Sequence, residues 1–342
     1  MSEKNDISGD VNTLYIGGGT PSVLPLSFFE TLVEALSRAG HPGPFEEFTV
    51  EVNPEDVVEK GQEYIEALVG LGVNRISMGV QSFDDEILKW MNRRHDASTA
   101  RRAYAIIEQA GVKNISIDLI FGLPQLDATS WEKTVLQALS ISPSGNLPSH
   151  VSAYQLSVEP GSMLAEQVRK GCFTEADQEH CREQYDILCR VLSQAGYHHY
   201  EISNFALPGR EAVHNSAYWA HIPYVGFGPG AHSFLILNDG TGHSQMIRRW
   251  NLPDLKAYLS STSPDAVRES ETLDPEQYDL ETIMLSLRTD KGVQEEFLRT
   301  HANEKALDRM LLNGALVRIA GGRIRIPEDS FFISDGIVAE IV

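Results

Sequence analysis

The chain has 342 residues, 42% of them hydrophobic, which suffices for one large α/β domain with an appendage or for two domains. Lys and Arg number 28 against 48 Asp and Glu, so the formal net charge is −20. This charge repels nucleic acid and anionic membrane, and it argues against a polyanionic partner. There is no run of about 18 apolar residues, and the polar, acidic start differs from a signal peptide. We therefore expect a cytoplasmic protein that is not an integral membrane protein.

Apolar, β-branched runs alternate with amphipathic stretches of helical period in the first half of the chain. The strand-like runs are residues 13–16, 47–52, 75–80, 114–121 and 150–157. The helix-like stretches between them are residues 27–40, 61–72, 97–111 and 130–140. Strict alternation of this kind predicts right-handed βαβ units and a parallel sheet.

The first strand leads into an unusual glycine loop, in the sequence TLYIGGGTPSVL of residues 13–24. Three consecutive glycines permit a positive φ or a close approach of the backbone to a ligand. The loop matches neither G-x-x-x-x-G-K-[ST] nor G-x-G-x-x-G, so it is not one of these nucleotide-binding fingerprints.

Glycine or polar residues lie near the carboxyl end of each of the five predicted strands, either within the strand or just after it. They are Gly17–Thr20, Glu51 with Asn53, Gln81, Asp118, and Gln155 with Ser157. Any one of them is compatible with a solvated loop. Because the carboxyl ends of parallel strands meet at one edge of a sheet, their recurrence predicts a shared ligand site.

A sixth strand-like piece, at 196–206, precedes a stretch at 214–234 that is dense in aromatic, histidine and glycine residues. The second stretch is compatible either with a packed loop or with the lining of a pocket for a flat, apolar ligand. Further along, two short helices at 275–289 and 303–314 lead into a hairpin about Gly321 and Gly322. This order resembles a winged-helix module, for which the acidic balance favours a packing or lid role over DNA binding.

The three cysteines are Cys172, Cys181 and Cys189. No two of them form a C-x-x-C motif, and the spacing of the three fits no zinc or iron–sulfur pattern. The last two lie in a stretch of helical period that ends in glycine, so we interpret them as helix residues and expect no metal site.

The motifs IGGGTPSVL, VEVNP, GVNRISMGVQSFDD, RRHD, ISIDLIFGLPQ, VSAYQLSVEPGS, YEISNFALPG, HNSAYW and GFGPGAHS occur in this order. Together they resemble the radical S-adenosylmethionine (SAM) proteins related to oxygen-independent coproporphyrinogen III oxidase. The H-N-x-x-Y-W element is similar to the HemW-type heme chaperone branch. The resemblance implies an α/β fold, a partial (βα)6 TIM-like barrel over residues 1–240 that lacks its first βα unit. A small helical, winged-helix-like C-terminal domain would follow over residues 241–342.

The resemblance also implies ligands and site residues. SAM would be bound by Gly18, Gly19, Thr20, Glu51, Gln81, Arg93 and Asp118, with Ser157 and His232 near further positions of that site. Heme would be contacted by His214, Tyr218 and Trp219; a hydrogen-bonded loop histidine is the alternative for His214.

One family element is missing from this sequence. The C-x-x-x-C-x-x-C motif, whose thiolates hold a [4Fe–4S] cluster in the family, does not occur in the 342 residues. Two explanations remain open, a truncated sequence and a natural relative without the cluster. We favour truncation, because loss of a first strand would expose the edge of the strand at 13–16. In either case we expect no radical catalysis from the chain as written.

The resemblance leaves two functions from different classes. The first is a heme chaperone that binds heme and transfers it to acceptor proteins, some of which could be membrane-associated. The alternative is an oxygen-independent coproporphyrinogen III oxidase of porphyrin synthesis. A third, plainer reading is a degenerate barrel without a ligand.

Overall fold

The computed structural model describes residues 10–238 and 244–342, which divide into two compact units. The first unit is Val11–His214, and the second contains Asn215–Val342. Within the described residues, no helix is both long and apolar enough to span a membrane.

A curled half-barrel sheet of seven strands forms the centre of the first unit. Its strands are β1 (Thr13–Ile16), β2 (Glu47–Val52), β3 (Arg75–Gln81), β4 (Asn114–Phe121), β5 (His150–Gln155), β6 (His198–Glu201) and β7 (Asn204–Ala206). Their spatial order is β1-β2-β3-β4-β5-β7-β6, in which β1 to β5 are mutually parallel. The expected parallel βα architecture is therefore confirmed.

Helices connect these strands. They are α1 (Leu26–Arg38), α2 (Pro54–Gly70), α3 (Asp85–Trp90), α4 (Ala97–Gln109), α5 (Ala128–Leu139), α6 (Met163–Arg169), α7 (Gln178–Gln194) and α8 (Val213–Trp219). The predicted helix at 61–72 starts earlier in the structure, at Pro54, and Gly61 interrupts it with a φ of 76°. The short helices α3, α6 and α8 were not predicted, because six or seven residues show too little periodicity.

The two faces of the sheet differ sharply in polarity. Residues paired across neighbouring parallel strands share a face. One face is apolar and carries Leu14, Phe48, Val50, Ile76, Met78, Ile115, Ile117 and Val151. The opposite face, here called the polar face, carries Thr13, Tyr15, Glu47, Thr49, Glu51, Arg75, Ser77, Ser116, Asp118, His150 and Ser152. The apolar face forms the core with fully buried helix residues such as Leu68, Ile107, Trp131 and Leu188.

The predicted sixth strand is two strands. A turn at Ile202 and Ser203 separates β6 from β7, and β7 inserts antiparallel between β5 and β6. The carboxylate of Glu201 accepts the backbone N–H of Ser203 at 3.2 Å, which stabilises the turn. The two turn residues, Ile202 and Ser203, include neither Gly nor Pro, so no strong turn signal marks this point in the sequence.

The second unit contains two three-stranded sheets. Their strands are β8 (His232–Asn238), β9 (Ser244–Asn251), β10 (Arg268–Leu273), β11 (Val293–Gln294), β12 (Val317–Ile319) and β13 (Arg323–Arg325). The helices are α9 (Leu255–Ser260), α10 (Pro275–Leu287), α11 (Glu295–His301), α12 (Glu304–Asn313) and α13 (Ser334–Ile341). The antiparallel sheet of β8, β9 and β10 was not predicted, because β9 and β10 carry many charged residues.

The C-terminal elements follow the order of a winged-helix module. Helices α10, α11 and α12 precede the antiparallel pair β12 and β13, and β11 pairs with β13. Gly321 and Gly322 have φ values of 77° and 67°, which is why glycines occupy this hairpin turn. The helical C-terminal region with its hairpin matches the sequence-based expectation.

Candidate functional site

The glycine loop lies at the carboxyl end of β1. Gly18 and Gly19 both have a φ of 78°, and a Cβ atom on either residue would meet no other atom within 4 Å. The backbone N–H of Gly18 donates a hydrogen bond to Glu51 Oε2 at 3.1 Å. Thr20 follows at the start of a short 3₁₀ helix, Pro21–Val23. The loop therefore presents an exposed, left-handed backbone beside a carboxylate, with open space in front of it.

At Gly17, the surrounding side chains leave no room for a Cβ atom. A Cβ atom at this position would overlap Tyr15 Cε1 and lie 2.7 Å from Glu51 Oε1. The hydroxyl of Tyr15 donates a hydrogen bond of 2.6 Å to this same oxygen. The missing side chain of Gly17 thus makes room for the Tyr15–Glu51 pair.

Asp118 lies on the polar face near Glu51. The hydroxyl of Ser77 donates to its carboxylate, at 3.0 Å from Oδ1 and 3.2 Å from Oδ2. Burial raises the pKa of Asp118 to about 6; the Ser77 hydrogen bond and the charge of Arg75 oppose this rise, and the Glu51 carboxylate adds to it. Two acidic side chains close enough to influence each other are suited to binding hydroxyls or an ammonium group.

Gln81 ends β3 in a strained conformation. Its φ is 65°, in a region that non-glycine residues rarely adopt, and the pairing of β3 with β4 is irregular between Gly79 and Gln81. A Cβ atom on Gly79 would lie 2.8 Å from Gln81 Nε2, so the amide folds back over the strand. Gly79 in turn pairs with Asp118 on the neighbouring strand β4. The Gln81 amide and Asp118 therefore both lie beside Gly79.

Arg93 follows α3 in the segment that leads to α4. Burial lowers the pKa of its guanidinium, and the charge of Glu55 opposes this effect. Its neighbour Arg94 pairs with Glu55 at 3.0 Å and with Asp56 at 2.9 Å. These ion pairs tie the Arg93 segment to the start of α2, next to the carboxyl end of β2.

Ser157 and His232 make contacts with residues other than Glu51, Gln81 and Asp118. Ser157 is exposed after β5, and its hydroxyl donates to Glu159 Oε1 at 2.7 Å. His232 begins β8 in the second unit, where its ring stacks on Trp250 with centroids 6.3 Å apart. Contacts or register therefore relate Gly18, Glu51, Asp118 and Gln81 to one another. The assignment of these four residues to SAM, like that of Ser157 and His232, stays a prediction.

His214 is the last residue of the first unit and lies in α8. Its Nδ1 is 2.8 Å from Thr13 Oγ1, and its ring stacks on Tyr15 with centroids 5.1 Å apart and planes 19° apart. Burial lowers the pKa of His214; the charge of Glu47 opposes this effect, and that of Arg75 reinforces it. The imidazole is therefore neutral at pH 7, the form that binds metal ions.

The carboxylate of Glu47 holds the start of α8. It accepts the backbone N–H of Val213 at 2.9 Å and that of His214 at 3.0 Å, and it is 97% buried. Arg75, also on the polar face, has its Nε 4.0 Å from Glu47 Oε2. The backbone position of His214 thus depends on β2, the strand next to the edge strand β1.

Tyr218 and Trp219 lie in the same short helix as His214. Tyr218 is exposed, and its ring packs edge-on against Tyr224 with centroids 4.6 Å apart. Partial burial of the side chain, together with the neighbouring Tyr224, raises the pKa of Tyr218 to about 12, so the side chain is neutral and able to donate a hydrogen bond.

Sequence reasoning missed Tyr15, Glu47, Ser77 and Glu201. Burial raises the pKa of Glu201 to about 7, although the backbone N–H of Ser203 lowers it. The alternation of polar and apolar residues in EFTVEV, residues 47–52, places Glu47, Thr49 and Glu51 on one face. That pattern could have identified Glu47 as a companion of Glu51.

The cysteines do not form a cluster site. Across residues 10–238 and 244–342, no three His, Cys, Asp or Glu side chains are grouped to hold a metal ion. Cys172 is exposed, Cys181 is buried, and Cys189 lies 3.9 Å from His199 Nδ1. The described residues therefore do not fit a [4Fe–4S] cluster, and no chemical step is derived through one.

Comparison with known proteins identifies the family. The family model described as the radical SAM superfamily matches residues 3–138. The heme chaperone HemW of Synechocystis is 33% identical over 284 residues, which are 83% of this chain and 66% of the relative. The heme chaperone HemW of Lactococcus lactis is 35% identical over 286 residues, 84% of this chain and 71% of the relative. The match thus spans about two thirds of the length of these curated relatives.

A solved structure with a similar fold is the coproporphyrinogen III oxidase HemN of Escherichia coli, a radical SAM enzyme. The TM-score is 0.77 at 19% identity, covering 97% of this chain and 77% of that protein. At this identity the likeness shows the fold and favours no particular reaction. The family implies SAM and a [4Fe–4S] cluster as cofactors. From its sequence relatives, the chain belongs to the HemW-like family of radical SAM proteins.

Proposed function

We propose that this protein is a heme chaperone, which binds heme at His214 and transfers it to acceptor proteins. The observation that carries the proposal is the setting of His214, a neutral imidazole held by Thr13 and Tyr15. Histidines that bind metal ions commonly have their second ring nitrogen fixed by a hydrogen bond. The Thr13 contact supplies such a bond at Nδ1.

Two aromatic residues complete the proposed heme site. Tyr218 follows His214 by four residues, the spacing of neighbours on one helix face, and Trp219 is the next residue of the helix. Their rings suit the flat face of a porphyrin. The relatives named heme chaperones support this assignment.

SAM is the second ligand that we propose for this chain. Gly18, Gly19 and Thr20 would hold its amino acid end, because their backbone is open and left-handed at the glycines. Glu51 and Asp118 would accept hydrogen bonds from the ammonium or ribose groups, and Arg93 would pair with the carboxylate. Gln81, Ser157 and His232 remain further proposed contacts. When bound in the family, SAM supplies a radical precursor, and this chain's own residues would bind and orient it.

Acceptor proteins are the partners that follow from the proposal, and the cytoplasm is the proposed location. The net charge of −20 disfavours nucleic acid as a partner. It also favours acceptors, soluble or membrane-associated, whose docking surface is basic.

Hemin titration followed in the Soret band tests the heme site. We expect saturable binding by the wild type and a dissociation constant at least about tenfold higher for His214→Ala, since an axial ligand is lost. His41→Ala, in the same unit, serves as the matched control and should titrate like the wild type. Identical titrations of His214→Ala and wild type would refute the assignment of His214.

Transfer needs a separate measurement. Hemin-loaded protein is mixed with increasing concentrations of a heme-free acceptor hemoprotein, and the Soret band of the acceptor is followed. A transfer rate that rises with acceptor concentration supports direct hand-over. A rate independent of acceptor concentration means release into solvent, and it contradicts the chaperone proposal.

A further inference from the structure

Tyr15 connects the glycine loop to His214 within the first unit. Its ring stacks on the imidazole of His214, while its hydroxyl donates to Glu51 Oε1 at 2.6 Å. The other carboxylate oxygen of Glu51 accepts the backbone N–H of Gly18 at 3.1 Å. One side chain therefore contacts the proposed heme ligand and, through Glu51, the loop that we assign to SAM.

The connection is tightly packed. A Cβ atom on Gly17 would overlap the Tyr15 ring and crowd Glu51, so the loop backbone, the phenol and the carboxylate have no spare room between them. Burial, together with the charge of Glu51, raises the pKa of Tyr15, and the hydroxyl remains a neutral donor. Close-packed groups with directional hydrogen bonds transmit a displacement from one to the next.

Thr13 and Glu47 also contact His214. Thr13 Oγ1 contacts its Nδ1 at 2.8 Å, and Glu47 accepts its backbone N–H at 3.0 Å. These contacts fix the helix and one ring nitrogen, and the Tyr15 ring faces the plane of the imidazole. The orientation of that plane is therefore the property that Tyr15 is placed to control.

We propose that Tyr15 is a positioning residue, which couples occupancy of the glycine loop and Glu51 to the orientation and heme affinity of His214. The inference rests on the proposed function, because it takes SAM and heme as the two ligands. A SAM group that binds the Glu51 carboxylate changes the hydrogen bond that this carboxylate accepts from the Tyr15 hydroxyl. The phenol ring of Tyr15 then shifts on the imidazole of His214. Since coupling between two binding sites is reciprocal, heme at His214 changes SAM affinity by the same factor.

The first test uses SAM as the probe and needs no heme. The imidazole signals of carbon-13-labelled histidine are recorded by NMR, and the His214 signal is assigned by its loss in His214→Ala. We expect SAM to shift this signal in the wild type and to leave it in place in Tyr15→Phe, which keeps the ring and loses the hydroxyl. Tyr64→Phe is the matched control: Tyr64 is a half-buried tyrosine whose hydroxyl donates to Leu24 O at 3.3 Å. It should behave like the wild type.

The second test measures hemin affinity with and without saturating SAM. We expect SAM to change the hemin dissociation constant of the wild type and of Tyr64→Phe by about fivefold, a typical coupling, and that of Tyr15→Phe by less than about twofold. An equal SAM effect in Tyr15→Phe and wild type overturns the inference, as does the absence of any SAM effect on the wild-type His214 signal. If hemin binds equally to His214→Ala and wild type, the proposed heme site fails, while the NMR comparison still decides the role of Tyr15.

Discussion

The carboxylate of Glu47 accepts the backbone N–H of His214 at 3.0 Å, across 167 residues of sequence. The same carboxylate accepts the N–H of Val213 and lies 4.0 Å from Arg75 Nε, and both side chains are almost fully buried. The strand β2 is thereby linked to the start of α8. A buried carboxylate in this position compensates two N–H groups and a guanidinium at once.

Removal of this carboxylate should destabilise the protein strongly. We expect Glu47→Ala to lower the free energy of unfolding by about 3–5 kcal/mol, because Arg75 loses its counter-charge and two N–H groups lose their acceptor. Glu47→Gln retains one acceptor oxygen and should cost less. Urea unfolding monitored by circular dichroism gives both values. The exposed neighbour Glu46 is the control, and Glu46→Ala should stay within about 0.5 kcal/mol of the wild type. Equal stabilities of the Glu46 and Glu47 variants would contradict the role of Glu47.

A second prediction concerns the glycine loop. Gly17→Ala should lower the free energy of unfolding by about 1–3 kcal/mol, since its Cβ would overlap Tyr15 and crowd Glu51. Gly19→Ala meets no atom within 4 Å, and its φ of 78° should cost only about 1 kcal/mol. Gly336→Ala, in α13 with open space around it, should stabilise by about 0.5–1 kcal/mol. Thermal unfolding of the three variants ranks them, and a Gly17→Ala protein as stable as Gly336→Ala would refute the crowding argument.

Much of the fold of the first unit could be predicted from local sequence. Runs such as NISIDLIF and their spacing of about 30 residues identify parallel strands, because buried strands need continuous apolar residues on at least one face. The hairpin at Gly321 and Gly322 was also predicted from the local sequence. The turn between β6 and β7 was not, since it forms around Ile202 and Ser203 through a carboxylate contact.

The candidate site was predictable only in part. Positions in the carboxyl-terminal halves of β2, β3 and β4 locate Glu51, Gln81 and Asp118, because chain order and strand direction determine which residues lie toward one edge. The environment of His214 depends on Thr13, 201 residues away, and on Tyr15 and Glu47. Nothing in the local pattern around His214 encodes such partners. They follow from the packing of α8 on β1 and β2, which a single sequence does not reveal.

The pH dependence of stability gives a third prediction, for Asp118. Burial raises its pKa from 3.8 to about 6, so between these values the folded state binds more protons than the unfolded state. Stability contributed by this group is present at low pH and is lost as the pH rises through about 6. Asp118→Asn should therefore be more stable than the wild type at about pH 7.5, by about 1–3 kcal/mol, and similar to it below about pH 4.

Urea unfolding at several pH values checks this difference. The exposed Asp265 provides the control, and Asp265→Asn should differ from the wild type by less than about 0.5 kcal/mol at about pH 7.5. Asp118→Asn should also bind SAM more weakly in calorimetry, as expected where a binding group is kept at the expense of stability. A constant difference between Asp118→Asn and wild type from acid to neutral pH would contradict the raised pKa.

The fourth prediction has the opposite sign and concerns His150. Its Nδ1 is 2.8 Å from Ser116 Oγ and its Nε2 is 2.8 Å from the Tyr200 hydroxyl, and the ring is fully buried. Burial lowers the pKa of His150 well below 6.5, and the charge of Arg75 acts in the same direction. The unfolded chain therefore binds a proton below about pH 6.5 that the folded state excludes, and stability falls as the pH decreases.

Each pH unit below about 6.5 should remove up to about 1.4 kcal/mol of stability through this one group. His150→Gln retains a donor and an acceptor but cannot titrate, so its stability should fall less steeply between about pH 6.5 and pH 5.5. The two proteins share all other titrating groups, and the difference between their pH slopes isolates His150. If His150→Gln loses stability with decreasing pH as steeply as the wild type, the prediction is wrong. The folded protein then allows the imidazole of His150 to be protonated despite its contacts with Ser116 and Tyr200.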